Sequence, residues 1–202
     1  NRYTCCCTSK KKNERKKNAQ KLEHHALAKR AASESIVLLK NTDHILPLKE
    51  GTKVAVIGDF AVTPRYQGAG SSVVNPTLIE TIEKSIADYD LQVIGISRGY
   101  QRIGAADEVL KKEALDIAAK AEVVLYCFGL DELSESEGLD RPHMRVPQNQ
   151  IELLQSIMQV NENVVGIMSA GASVEMPWHT CCKAILHGYL NGQAGASAML
   201  DI

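Results

Sequence analysis

The sequence predicts an α/β fold, a three-layer αβα sandwich around a mostly parallel sheet of about five to six strands. Short, continuously apolar runs recur at residues 53–58, 91–97, 122–128, 164–169 and 184–190, the pattern of strands buried on both faces. Stretches of helical periodicity separate them, and strands taken in turn with helices make right-handed parallel crossovers the default. With 202 residues, 45% of them hydrophobic, the chain is long enough for one sizeable core.

Lys10, Lys11, Lys12, Arg15, Lys16 and Lys17 crowd the start of the chain with hardly an apolar residue among them. Nothing there could be buried, so residues 1–22 are expected to form a basic linker or arm ahead of one domain at 23–202. Next, Leu22, Ala26, Leu27, Ala31, Ile36, Val37 and Leu39 recur at helical spacing, predicting one long helix over 22–39 that Asn41-Thr42-Asp43 and Pro47 close. The strand at 53–58 follows. Helices are expected at 77–89, 105–120 and 148–160, two of them announced by Pro76-Thr77 and Pro147-Gln148. The run at 184–190 reaches Gly192 before a helix of small residues.

A net charge of -1 removes the electrostatic argument for nucleic acid or an anionic membrane as partner. No run of 18 apolar residues occurs, so no segment is expected to span a bilayer as a helix. The six cysteines fall as a triplet (Cys5, Cys6, Cys7), a single (Cys127) and a pair (Cys181, Cys182). That spacing fits neither a disulfide framework nor a zinc knuckle, so a reducing, cytoplasmic setting is expected and no metal site. Cys127 reads as a small buried hydrophobe, and His24, His25 and His179 as structural.

In such folds ligands bind at the carboxyl ends of the strands. Two loops there stand out. The first, 59–76, contains Arg65-Tyr66-Gln67-Gly68-Ala69-Gly70-Ser71-Ser72, small enough for close backbone approach to a ligand. Its glycines come ten residues after Gly58, too late for a dinucleotide fingerprint, which places them in the turn straight after the strand. The second, 129–147, holds Asp131, Glu132, Glu135, Glu137 and Asp140. On composition alone it is a solvated acidic surface. Gly138 lets the backbone turn beside Glu137, Asp140 and Arg141 can pair locally, and a carboxyl among carboxylates has its ionisation opposed, as a general acid requires. The alternating ligands of a calcium loop are missing.

Several stretches, in order, resemble the C-terminal α/β sandwich of family 3 glycoside hydrolases. They are Ala28 to Asn41 with Leu46-Pro47-Leu48, Val54 to Gly58, Pro64 to Ser72 with Asn75-Pro76, Ser136-Glu137-Gly138-Leu139-Asp140-Arg141, and Val174 to Trp178 with Gly192-Gln193-Ala194-Gly195. The similarity is greatest to bacterial β-glucosidases. In that family an aspartate on a (β/α)8 barrel is the nucleophile and the sandwich supplies a glutamate acid/base, so the resemblance implies Glu137 as the acid/base, with Glu135 as runner-up. It also implies Ser71 as a hydroxyl contact to the sugar, Arg65 as a residue that positions the loop or reaches substrate, and Trp178 packed against the sandwich. No cofactor is implied. The implied partners are a β-glucoside substrate and a barrel that these residues do not supply, with an oligomer left open; alone, the chain is expected to be inactive. The alternatives are a non-catalytic carbohydrate-binding or interaction module of the same fold, and a nucleotide-binding α/β protein.

Overall fold

The computed structural model describes the backbone of residues 4–202 and the side chains from residue 17 onward. The cysteine triplet and all but the last residue of the basic run have side chains outside the described residues. Helix α1, Thr4–Ser35, runs without a break through the boundary expected between arm and domain. Among the described residues no helix is long and apolar enough to cross a membrane.

The helix expected to reach residue 39 stops at Ser35, and Val37–Asn41 forms strand β1. Ile36 and Val37 are β-branched and stiff against a preceding helical turn, and β1 finds an antiparallel partner in β6 (Ala184–His187), with Val37 opposite His187 and Leu38 opposite Leu186. A few apolar residues at a helix end fit either period. The sheet edge decided between them.

The remaining strands are β2 (Lys53–Ile57), β3 (Gln92–Ser97), β4 (Val123–Gly129) and β5 (Val164–Ser169). The sheet order is β1-β6-β5-β4-β2-β3, and every neighbouring pair except β1 and β6 is parallel. From β2 the chain moves outward to β3, then returns to the far side of β2 for β4. Connections leaving β2 and β4 therefore diverge, which opens a crevice at their carboxyl ends, the switch point where open α/β sheets hold ligands.

Strand side chains alternate between two apolar layers. Ala55, Ile57, Val124, Tyr126, Phe128 and Met168 face α4 (Glu108–Ala118) and α5 (Gln148–Val160), packing with Leu153, Leu154 and Ile157. Val54, Val56, Leu125, Cys127, Val165 and Ile167 face the opposite way, towards Phe60 of the one-turn helix α2 (Asp59–Val62), Ile82 of α3 (Ile82–Ser85) and Met199 of α6 (Gly195–Leu200). Asp107 starts α4 by accepting from the amides of Val109 and Leu110. The helix expected over 77–89 is shorter, because Thr81 caps it from within: its hydroxyl accepts from the Lys84 amide. The preceding residues are committed elsewhere, with the Glu80 amide donating to the Gln193 carbonyl.

Polar contacts seat α1 on this second layer. His25 Nε2 lies 2.7 Å from Glu80 Oε1, its Nδ1 lies 2.8 Å from Gln193 Nε2, and Glu80 Oε2 accepts from the Ser197 amide. Lys29 pairs with Asp201 at 2.8 Å, and the Tyr89 hydroxyl donates to the same carboxylate. Burial alone would raise the pKa of Glu80 and of Asp201, but hydrogen bonds from Ser197 and His25 to the one, and from Lys29 and Tyr89 to the other, outweigh it and hold both below their ordinary values. A depressed carboxylate stabilises the fold above its unfolded pKa, and that contribution disappears as pH falls through the lowered folded value. Acidification from about pH 6 to about pH 3 is thus expected to cost on the order of 1 kcal/mol from these two partly exposed groups. Urea titrations at the two pH values would measure it. Glu80→Gln should flatten the dependence, and an equal slope in that variant would refute the assignment.

Candidate active site

Both loops singled out in the sequence leave the two strands that flank the crevice. Gly129 ends β4 with φ 149°, and a Cβ there would stand 1.9 Å from the Ser169 carbonyl oxygen of the neighbouring strand. Its amide donates to Gln150 Oε1 at 2.9 Å, a buried side chain on α5. From there Asp131, also buried, turns the chain by accepting from the amides of Leu133 and Ser134 through Oδ1.

The loops then meet. Ala69 and Ser136 form a parallel bridge, with the Glu137 amide donating to the Ala69 carbonyl at 3.2 Å. The Gln67 side chain closes the glycine-rich segment by pairing with both backbone groups of Val74. Gly70 admits the acidic loop, since a Cβ there would lie 2.6 Å from Glu137 Cβ. Glu137 itself is exposed at the mouth of the crevice. Its Oε2 accepts from the Ser71 amide at 2.7 Å and from the Ser71 hydroxyl.

Those two bonds reverse the electrostatic expectation for Glu137. The Ser71 hydroxyl first, then the Ser71 amide, hold its carboxyl below the ordinary range. Like-charge repulsion is limited, because the loop's other two glutamates are each matched by arginine. Glu132 lies 3.1 Å from Arg102, and Glu135 lies 3.7 Å from Arg65 and 3.9 Å from Arg141. Arg141, expected to pair with Asp140, turns instead to Glu135 and donates to the carbonyls of His143 and Ser173.

Arg65 and Glu135 lie beneath the surface. The Arg65 side chain is 1% exposed, and its guanidinium donates to the Gln67 carbonyl on its own loop and to the Glu135 carbonyl on the other. Both carboxylate oxygens of Glu135 are taken, by the amides of Gly171 and Ala172. Trp178 is buried edge-on against Phe128 with ring centroids 4.9 Å apart.

Three charged residues beside the crevice were not picked out by sequence reasoning. Buried Asp59, first residue after β2 and its glycine, accepts from Arg98 and from Arg102 Nε, the latter at 2.8 Å, while Arg102 also stacks 4.4 Å over the Phe60 ring. Asp59 and Arg98 each sit just past the end of an apolar run, and Ile57 and Ser97 are register partners. Charge at two adjoining strand ends was the available signal. A separate cavity of about 390 Å³, bordered by Leu46, Leu48, Leu91, Leu125, Met199 and Ile202, lies towards the amino ends of the strands, where no candidate catalytic group stands.

The model for the glycosyl hydrolase family 3 C-terminal domain matches residues 36–202. Thermostable beta-glucosidase B of Acetivibrio thermocellus is 43% identical over 182 residues, which are 89% of this chain and 24% of that protein. The exo-alpha-(1->6)-L-arabinopyranosidase of Bifidobacterium breve is 41% identical over 189 residues, 89% of this chain and 25% of that protein. Among solved structures, a Bifidobacterium adolescentis GH3 beta-glucosidase superposes with a TM-score of 0.83 at 42% identity, covering 89% of this chain and 27% of that one. The chain thus spans about a quarter of the length of the curated relatives it matches.

Proposed function

Since the chain belongs to glycosyl hydrolase family 3, as that family's C-terminal domain, we propose that it carries the acid/base of a retaining β-glucosidase-type hydrolase whose nucleophile a barrel supplies. The observation behind this reading is the contrast between the two glutamates of the loop. Glu135 is 10% exposed in its side chain and has both oxygens tied to backbone amides, whereas Glu137 is exposed at the switch point and its carboxylate is held by Ser71 alone, through one oxygen. In retaining hydrolysis Glu137 protonates the leaving oxygen as the nucleophile attacks, then takes a proton from the water that releases the sugar, with the two carboxyl groups about 5 Å apart. As a general acid Glu137 must hold a proton near neutral pH, which the Ser71 bonds oppose. The approach of a second carboxylate, and substrate displacing Ser71, both push its pKa upward.

The relatives' names support assigning proton transfer, rather than sugar choice, to this domain. Proteins about equally similar to it are named for β-glucosides and for α-L-arabinopyranosides. A β-glucoside is the proposed substrate, and Arg65 is proposed to fix the two loops on each other beneath the sugar. The test separates the domain from its parent. The purified 202 residues are expected to show no turnover of an aryl β-glucoside, and the same chain joined to a family 3 barrel to hydrolyse it with retention. Turnover by the domain alone would point to a carboxylate pair within it. Sugar binding without turnover in the joined protein would favour a non-catalytic module.

A further inference from the structure

Loop residues 130–147 join β4 to α5 with no regular structure between, yet acid/base chemistry tolerates little misplacement of its carboxyl group. About 1 Å can cost on the order of 100-fold in rate. The residues flanking Glu137 both reach the same place. Glu135 accepts from the Gly171 amide at 2.9 Å and from the Ala172 amide, while Arg141 donates to the Ser173 carbonyl at 3.0 Å. The two also face each other at 3.9 Å. On the far side of Glu137 the glycine-rich loop adds the Ala69 bridge, Ser71, and Arg65, whose guanidinium donates to the Glu135 carbonyl.

From this arrangement we infer that the turn at residues 171–173, just after β5, is a platform for the acid/base, and that Glu135 and Arg141 are positioning residues gripping it from either side of Glu137. The inference rests on the acid/base reading of Glu137. A carboxylate is the group this grip needs. Two successive backbone N–H groups form an anion-binding concavity, and each carboxylate oxygen can accept one of them. Glutamine offers one acceptor and turns an N–H towards the other amide. Lysine at position 141 keeps the charge but loses the planar fork that reaches Ser173, His143 and Glu135 together. Neither role requires contact with substrate.

The experiment compares Glu135→Gln, Arg141→Lys and Glu137→Gln in the chain joined to a family 3 barrel. The substrates are an alkyl β-glucoside, which needs a proton on its leaving group, and 2,4-dinitrophenyl β-glucoside, which does not. Both positioning variants are expected to lose about 10- to 100-fold in kcat/KM on the alkyl glucoside and about 3-fold or less on the dinitrophenyl substrate. On the 202-residue chain itself, the Gly171 and Ala172 amides should be protected from hydrogen exchange, and Glu135→Gln should release them while circular dichroism stays unchanged. Equal losses on both substrates, rates like the parent's, or freely exchanging amides in the unsubstituted chain would overturn the platform and leave the acid/base reading standing. If Glu135→Gln is instead the variant whose dinitrophenyl glucoside turnover azide restores, Glu135 is the acid/base and both readings fall. Parental rates in Glu137→Gln on the alkyl glucoside would remove the acid/base reading by itself.

Discussion

Replacing Glu137 with glutamine in the barrel-joined enzyme is expected to lower kcat/KM for an alkyl β-glucoside by about 10²- to 10⁴-fold, the range that general acid catalysis contributes. Glutamine preserves the shape and the hydrogen bond from Ser71 but has no acidic proton to give. The loss should shrink to about tenfold or less when the leaving group is dinitrophenolate, which departs without a proton. Hydrolysis of that substrate should then stall at the glycosyl-enzyme, since no base activates water. Azide, which needs no deprotonation, should restore turnover and leave as the glycosyl azide. Because Glu137 is exposed and its contacts are confined to the loops, the fold should be untouched. A parental rate on the alkyl substrate would sink the assignment.

A large structural effect is expected at Gly129. An alanine Cβ there would sit 1.9 Å from the Ser169 oxygen and 2.7 Å from its carbonyl carbon, both backbone atoms of a central strand. Neither can swing aside. The φ of 149° adds strain that only glycine avoids. Gly129→Ala should therefore cost about 3 kcal/mol or more, read as a lower urea midpoint with little change in m. Gly138 is the control, since its φ of 79° is also left-handed but nothing lies within 4 Å of an added Cβ. Gly138→Ala should cost only about 1–2 kcal/mol. Equal losses at the two sites would show that backbone conformation, not the clash against β5, sets the cost.

Continuous apolar runs made the strands legible, because a strand buried on both faces, as β4 and β5 are, leaves no room for polar residues; β3, expected to be buried in the same way, lies at the sheet edge with Val93 and Ile94 exposed. Loop composition likewise pointed to both site loops before their contact could be known. What the sequence hid was decided by partners far along the chain. Leu38 became part of a strand because Leu186 stood ready to pair with it. The acidic loop looked self-repelling because two of its three cations are remote: Arg102 comes 30 positions before Glu132, and the Arg65 that bonds to Glu135 comes 70 positions before it. Local charge counting gave the wrong sign for Glu137 for the same reason. Its nearest influence, Ser71, lies 66 positions away.

That separation also governs how the crevice comes into being. Left to a flexible chain, bringing Ser71 to Glu137 would carry a closure entropy that grows as the logarithm of the 66 intervening steps. The β2–β4 ladder removes most of that cost, because register pairs such as Ile57 with Tyr126 already place the roots of both loops side by side. Loop closure at the carboxylate is therefore borrowed from the sheet. Anything that frays the upper end of that ladder lengthens the tether on which Glu137 is held, even when every residue around it is intact.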